Sequence, residues 1–171
     1  MKFPFQKNAG TSLVEALIYI ALFAVFSIFF IQVLGVMTQS FSQTKSNNYL
    51  LDSGYNALER ISREVRGASS VDAGNSTLGT SLGVLALNTT DSGGAAKTVK
   101  FDVSGGVLRL TENGTVTGNL TGGTVTVSSL IFRKITTTVG TAVKIELTLR
   151  DNRVATRTEN FYDTVILRGG Y

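Results

Sequence analysis

The chain has 171 residues, enough for one domain and an anchoring segment, and its formal net charge is +4. Cysteine and histidine are both absent, which excludes a disulfide framework, thiol nucleophiles, histidine-based triads and the usual zinc ligands. No nucleotide-binding glycine motif occurs and acidic residues are few, so we expect neither an enzyme nor a cofactor-binding protein.

The first predicted element is an apolar segment, residues 16–37, that follows a short basic leader, residues 1–10. Only three residues interrupt the segment: Ser27, Gln32 and Gly35. A helix of about 20 mostly apolar residues can cross a bilayer. In a secretory signal the small-residue cleavage site follows the apolar core, whereas here Ala9-Gly10 precedes it. Cleavage at that point would leave the apolar helix on the mature protein.

The distribution of cations predicts how the chain is oriented in the membrane. Lys2 and Lys7 precede the apolar segment, and the next cation is Lys45. Because cationic flanks are retained on the cytoplasmic side, we predict a cytoplasmic N-terminus and an extracytoplasmic C-terminal domain.

The junction between the leader and the apolar segment resembles the processing motif of type IV pilins and type II secretion pseudopilins. In that family the leader ends in Gly and the fifth mature residue is Glu, which Gly10 and Glu15 match. Thr11 occupies the first mature position, where Phe or Met is commoner, and Ser12 is a usual variant of Thr at the second. The resemblance covers the leader and the apolar segment.

The resemblance implies that a prepilin peptidase cleaves between Gly10 and Thr11 and that Thr11 is then N-methylated. It further implies a pilin-like fold and a structural role. The protein would begin in a bacterial inner membrane and be assembled by an inner-membrane platform, with other pilin or pseudopilin subunits, into a pilus or pseudopilus. Residues 58–66 resemble the corresponding helix of the larger minor subunits, which favours a minor subunit.

Two roles are open for Glu15. Ser12 and Glu15 have the spacing of a capping box, in which both side chains bond to N–H groups at the start of a helix. A charge in lipid is costly, however, and usually has a partner. The resemblance implies that this partner is the terminal ammonium of Thr11 on a neighbouring subunit. We expect such a pair to set the register between subunits, and the two roles are compatible.

A second helical segment, residues 38–67, is predicted to continue the apolar helix. After a polar stretch, apolar residues recur at helical spacing as one stripe: Leu51, Tyr55, Leu58, Ile61 and Val65. Together the segments predict one proline-free helix over residues 12–66, about 80 Å long. Its first half, residues 11–37, is membrane-spanning or filament core, and its second half is amphipathic.

The polar face of the second half predicts two ion pairs. Glu59 precedes Arg63 by four residues and Arg60 precedes Glu64 by four, the spacing at which side chains meet on a helix. Gly67 follows these pairs and is predicted to end the helix.

Residues 68–171 have the alternation of a soluble antiparallel β-sheet domain. Strands are predicted at residues 82–87, 99–103, 108–110, 130–135, 143–149 and 154–167. Gly105-Gly106 and Asn113-Gly114 predict tight turns. Such a sheet has one apolar face to cover, and the stripe on the helix can cover it. The predicted fold is therefore α+β, a long N-terminal helix packed against an antiparallel sheet.

Metal binding is not expected. Calcium requires only oxygen ligands, and Asp91, Asp102 and Asp151 supply carboxylates, but no loop of the sequence concentrates three of them. The exposed loop tip at residues 91–94 is predicted to be a flexible turn, with a partner contact as the alternative.

Two further functions stay open on the sequence alone. The same segments would serve a single-pass membrane-anchored binding domain that never polymerises. A DNA-uptake minor pilin would instead need phosphate-binding cations in its C-terminal domain. The candidates are spread along the chain: Arg133, Lys134, Arg150, Arg153 and Arg157.

Overall fold

The computed structural model describes residues 13–138, 140–153 and 157–168. The leader, Gly10 and Thr11 lie outside the described residues, so their predicted processing stays a prediction. Within the described ranges one helix precedes eight strands: α1 (Leu13–Gly67), β1 (Ser70–Val71), β2 (Leu85–Thr90), β3 (Ala96–Ser104), β4 (Val107–Glu112), β5 (Thr115–Asn119), β6 (Val125–Thr137), β7 (Gly140–Asp151) and β8 (Thr158–Ile166). The predicted α+β class and the long N-terminal helix are confirmed.

The chain divides into two compact units between Thr44 and Lys45. In the first unit the structure describes only helix α1, residues 13–44. The second unit contains the rest of α1, packed on two antiparallel sheets. One is five-stranded in the order β1-β2-β3-β4-β5, and the other is three-stranded in the order β6-β7-β8.

The presence of two sheets differs from the single meander that the sequence predicted. Between β5 and β6 the chain passes through Gly122-Gly123 and leaves the five-stranded sheet. The chain contacts the five-stranded sheet again at the turn between β3 and β4, where the Val127 N–H donates a hydrogen bond of 2.8 Å to the carbonyl of Gly106. Strand β6 therefore meets the first sheet at a turn and pairs along its length with β7.

Predicted strands and turns agree with the structure over most of the domain. The segments at 99–103, 108–110, 130–135 and 143–149 lie inside β3, β4, β6 and β7. Positive φ angles confirm both predicted turns: 59° at Gly105 and 77° at Gly106, then 48° at Asn113 and 82° at Gly114. The segment predicted at 82–87 begins later, as β2, and the short strands β1 and β5 were not predicted. Residues 154–156 of the last predicted strand lie outside the described residues.

The face of α1 that contacts the sheets is rotated from the predicted stripe. The buried residues of the helix are Ser46, Leu50, Gly54, Ala57, Leu58, Ile61, Ser62 and Val65. Tyr55 was wrongly placed in the core, since it is 63% exposed, and Leu51 is only half-buried. The cause is Phe161 of β8, whose ring lies against Gly54. Tyr55 instead packs its ring edge-on to Phe161, with centroids 5.7 Å apart.

Both predicted ion pairs on the outer face of α1 form. Arg63 lies 2.8 Å from Glu59, and Arg60 lies 2.9 Å from Glu64. Arg60 also reaches Glu112 at the end of β4, at 3.3 Å. That second contact ties the helix to the five-stranded sheet, in addition to the apolar core between them.

Candidate functional site: the exposed apolar helix and its carboxylate

Residues 13–44 of α1 form a helix with no buried side chain. Its aromatic side chains face several directions and are all more than half exposed: Tyr19, Phe23, Phe26, Phe29, Phe30 and Phe41. Among the residues that the structure describes, α1 is long and apolar enough to cross a membrane. A helix that is apolar on all sides needs lipid or other helices around it.

The hydroxyl groups of Ser27 and Thr38 are satisfied within the helix. Ser27 donates a hydrogen bond to the carbonyl of Phe23, 2.7 Å long, and Thr38 donates one to the carbonyl of Leu34, 2.8 Å long. A polar group without a partner is costly in hydrocarbon, and bonds of this kind remove that cost. The segment is therefore suited to an apolar environment despite these hydroxyls.

Glu15 lies in the first turn of α1, where a negative charge interacts favourably with the helix dipole. One turn later, the Tyr19 hydroxyl donates a hydrogen bond of 2.8 Å to Oε1 of Glu15. No lysine or arginine in the described part of the chain forms an ion pair with this carboxylate. Ser12 lies outside the described residues, so the capping box stays a prediction. Glu15 is thus an exposed carboxylate with capacity for a further cationic partner.

Glu15 stands out in the sequence, but its hydrogen bond with Tyr19 was not predicted. The signal was available, because residues four apart on a helix lie on the same face. Tyr19 was included in the predicted apolar segment, residues 16–37, although its hydroxyl can reach a carboxylate one turn away.

The five candidate DNA-binding cations do not converge. Arg133 and Arg150 both lie on the outer face of the three-stranded sheet. In the register of β6 and β7, Arg133 is opposite Lys144, whereas Arg150 is opposite Thr126. Lys144 and Arg150 are six residues apart on β7, or roughly 20 Å, so the backbone positions of Arg133 and Arg150 are separated by about the same distance. Lys134, next to Arg133 in β6, points to the opposite face. The remaining two, Arg153 and Arg157, lie beside the start of the second unit's helix.

On the outer face of the three-stranded sheet, Glu146 joins two cations. Its Oε1 lies 2.8 Å from Nζ of Lys144 and 3.4 Å from Nε of Arg133. The hydrogen bond from Lys144 is the main cause of a lowered pKa of the Glu146 carboxyl, with Arg133 adding to the effect. Because the pKa is lower when folded, this contribution to stability is present above the carboxyl's unfolded pKa and is lost as pH falls through the folded value.

We expect the substitution Lys144→Gln to raise the pKa of the Glu146 carboxyl toward its ordinary value, because the main charge-assisted hydrogen bond is removed. Carboxyl chemical shifts followed by NMR during a pH titration would measure this change. Lys100→Gln, on the other sheet, is the matched control and should leave the Glu146 pKa in place. An unchanged pKa in the Lys144 variant would show that Arg133 or another group controls the carboxyl.

The three aspartates considered for calcium are in separate places. Asp91 accepts hydrogen bonds from the N–H groups of Gly93 and Ala95 and so closes its own turn. Asp102 pairs with Arg109 across β3 and β4, and Asp151 accepts a hydrogen bond from Ser46. No group of three potential ligands occurs in the described residues.

No protein-family model, curated protein or solved structure matches this chain. The class that the fold defines is an α+β protein whose long N-terminal helix is apolar at one end and covers β-sheets at the other. The apolar part of this helix is a candidate membrane span and is consistent with membrane anchoring.

Proposed function

We propose that the chain is a structural subunit, of the minor type, in a type IV pilus or type II secretion pseudopilus. Before assembly it would be inserted in a bacterial inner membrane, with its N-terminus in the cytoplasm and its β domain on the extracytoplasmic side. A prepilin peptidase would remove residues 1–10, and an assembly platform would move the subunit from lipid into a filament of packed helices.

The observation that supports this proposal best is the continuity of α1. One helix without proline runs from Leu13 to Gly67, exposed and apolar along its first part and covered by sheets along its last. A membrane anchor needs only a span and a linker, and a flexible linker would serve it well. A continuous helix instead suits a subunit whose apolar part packs in a filament core while its last part carries the soluble domain. The processing motif at Gly10, Thr11 and Glu15 supports the same function.

The position of Glu15 also supports assembly. After cleavage, the ammonium of Thr11 would be four residues before the carboxylate in the chain. In a filament core the apolar side chains would exclude water from both charges, and each would then require the other. Where neighbouring subunits are staggered along the filament axis, the carboxylate of one and the ammonium of the other meet at one axial offset only.

Mass spectrometry of the native protein tests the processing step. In cells with the peptidase, we expect the mature chain to begin at Thr11 and to carry one added methyl group at its amine. Without the peptidase the same chain should retain Met1. Retention of Met1 in both strains would favour the alternative function, a single-pass membrane-anchored binding domain that does not polymerise.

The substitution Gly10→Phe should block cleavage and leave the leader attached. Glycine permits backbone conformations that residues with a Cβ disfavour, and we expect the peptidase to require such a conformation at the cleavage site. Gly35→Phe is a control for added bulk, since a Cβ at Gly35 has no atom within 4 Å. The measurement is the ratio of unprocessed to processed chain on a gel. Efficient processing of the Gly10 variant would contradict the assigned cleavage site.

A further inference from the structure

A basic and aromatic cluster lies at the start of the second unit. Lys45 and Tyr49 are one turn apart on α1, and Nζ of Lys45 is 6.0 Å from the centre of the Tyr49 ring. The guanidinium of Arg153, from the loop after β7, is 5.3 Å from the same ring. Arg157 donates a hydrogen bond of 3.1 Å to the side chain of Asn47. We call these four residues, Lys45, Tyr49, Arg153 and Arg157, the basic collar.

A buried carboxylate contacts both the helix and the backbone of the two arginines of the basic collar. Asp151 is only 2% exposed and accepts a hydrogen bond from the Ser46 hydroxyl. Its Oδ1 also accepts the backbone N–H of Arg153 at 2.5 Å, and its own N–H donates to the carbonyl of Arg157 at 3.0 Å. Asp151 therefore holds the backbone of both Arg153 and Arg157.

The charge that the basic collar presents to solvent is positive. Two carboxylates are close to it in sequence. Asp151 is buried, and the exposed Asp52, one turn beyond Tyr49 on the same helix face, is outnumbered by the two exposed cations Lys45 and Arg153. Lys45 and Arg153 are exposed, and Tyr49 is partly so. Tyrosine and the long basic side chains are the residues that lie at membrane–water interfaces, where apolar and charged groups are both satisfied.

The short stretch of chain between the apolar segment and the basic collar keeps the collar within reach of lipid headgroups. The apolar segment ends at Met37, and Lys45 is eight positions further along the chain, a stretch that spans at most about 28 Å even when fully extended. The polar region of each leaflet is about 5–8 Å thick. Lysine and arginine side chains extend their charged ends toward such a region while their apolar stems stay on the protein.

We propose that the basic collar binds the anionic phospholipid headgroups of the membrane that α1 crosses. The phosphate groups would interact with Lys45 and Arg153 while the Tyr49 ring lies at the interface. The β domain would then rest on the bilayer until extraction, with its docked state favoured by negative lipids. This inference rests on membrane insertion of α1 and does not require filament assembly.

The full chain contains no tryptophan, so a Tyr49→Trp variant has a single indole, placed inside the basic collar. It would be reconstituted in vesicles of phosphatidylcholine alone and of an equal mixture with phosphatidylglycerol. Both would contain a lipid with a nitroxide on its headgroup. We expect stronger quenching of the indole fluorescence in the anionic vesicles at low salt, and loss of that difference in about 1 M salt. Vesicle flotation shows separately that the protein has inserted.

Adding Lys45→Gln and Arg153→Gln to this variant should abolish the effect of anionic lipid. Each cation near an anionic surface contributes about a fivefold change in binding, so the pair should lower the ratio of docked to undocked domain roughly 25-fold. Lys100→Gln with Lys134→Gln removes the same charge from the β domain and should preserve the effect. Circular dichroism would confirm that both double variants are folded.

Three results would overturn the proposal: equal quenching in neutral and anionic vesicles, no change in the Lys45 and Arg153 variant, or an equal loss in the control. Inorganic phosphate at constant ionic strength distinguishes a lipid surface from a soluble anion. Unchanged quenching supports the lipid surface. Loss of quenching would assign the basic collar to a free phosphate ligand and contradict the membrane proposal.

Discussion

Replacing Glu15 with leucine is expected to give a chain that is processed and inserted in the membrane but enters filaments at least about tenfold less well. The substitution makes the first turn of α1 more apolar, so insertion should not suffer. In the assembled helix core, however, the ammonium of Thr11 on a neighbouring subunit would be left without its partner. Breaking one half of a buried pair leaves an uncompensated charge, which costs about 3–5 kcal/mol.

The measurement compares the amount of variant in sheared filaments with the amount in membranes. Tyr19→Phe is the matched control, because it removes the 2.8 Å hydrogen bond to Glu15 and leaves the carboxylate in place. We expect this control to assemble nearly normally. Normal incorporation of the Glu15 variant would contradict the pairing role. Equal failure of both variants would assign the function of Glu15 to its bond with Tyr19 inside one subunit.

Features that depend on neighbours in the chain were predicted well. The two ion pairs on α1 and the glycine turns follow from spacing over four residues or fewer, and the apolar segment follows from the composition of one continuous stretch. Glu15 could be selected for the same reason, as a single carboxylate at the start of a long apolar segment. The role that we propose for it depends on contacts between subunits, which one sequence does not contain.

One local feature was misjudged, and the contacts between distant parts of the chain were missed. Ile135 was grouped with Leu130 and Phe132 in one predicted strand, but it is 43% exposed whereas they are buried. Leu130 and Phe132 are two residues apart and share a strand face, whereas Ile135 is an odd number of residues away and faces out. The contact between Arg153 and Tyr49 joins residues more than 100 positions apart. Nothing local in either segment indicates it.

Gly54 shows how one such contact sets the face of a helix. The sequence favours Tyr55 as a core residue, since it is large and lies on the apolar stripe. At this point β8 approaches α1 so closely that a Cβ on residue 54 would be 2.2 Å from Cζ of Phe161. Glycine is the residue that fits beneath the ring, and the helix turns this side to the sheet. Tyr55 is left at the edge of the contact, against the ring of Phe161.

Gly54→Ala is therefore expected to destabilise the protein although alanine is the better helix former. In a helix interior the exchange alone should stabilise by about 1 kcal/mol. Here the added methyl group must displace the ring of Phe161, which is only 5% exposed, and overpacking of this kind costs about 1–3 kcal/mol. We expect the second effect to prevail, with a lower midpoint of denaturation in urea followed by circular dichroism.

Gly67→Ala is the control for the same exchange at a site with no atom within 4 Å of the new Cβ, and it should not lower the midpoint. A second variant, Gly54→Ala with Phe161→Leu, removes the ring that the methyl group meets. Its loss of stability should be smaller than the sum of the two single losses, because the two changes share one contact. Additive losses, or a Gly54 variant more stable than the parent chain, would show that β8 is not held this close to α1.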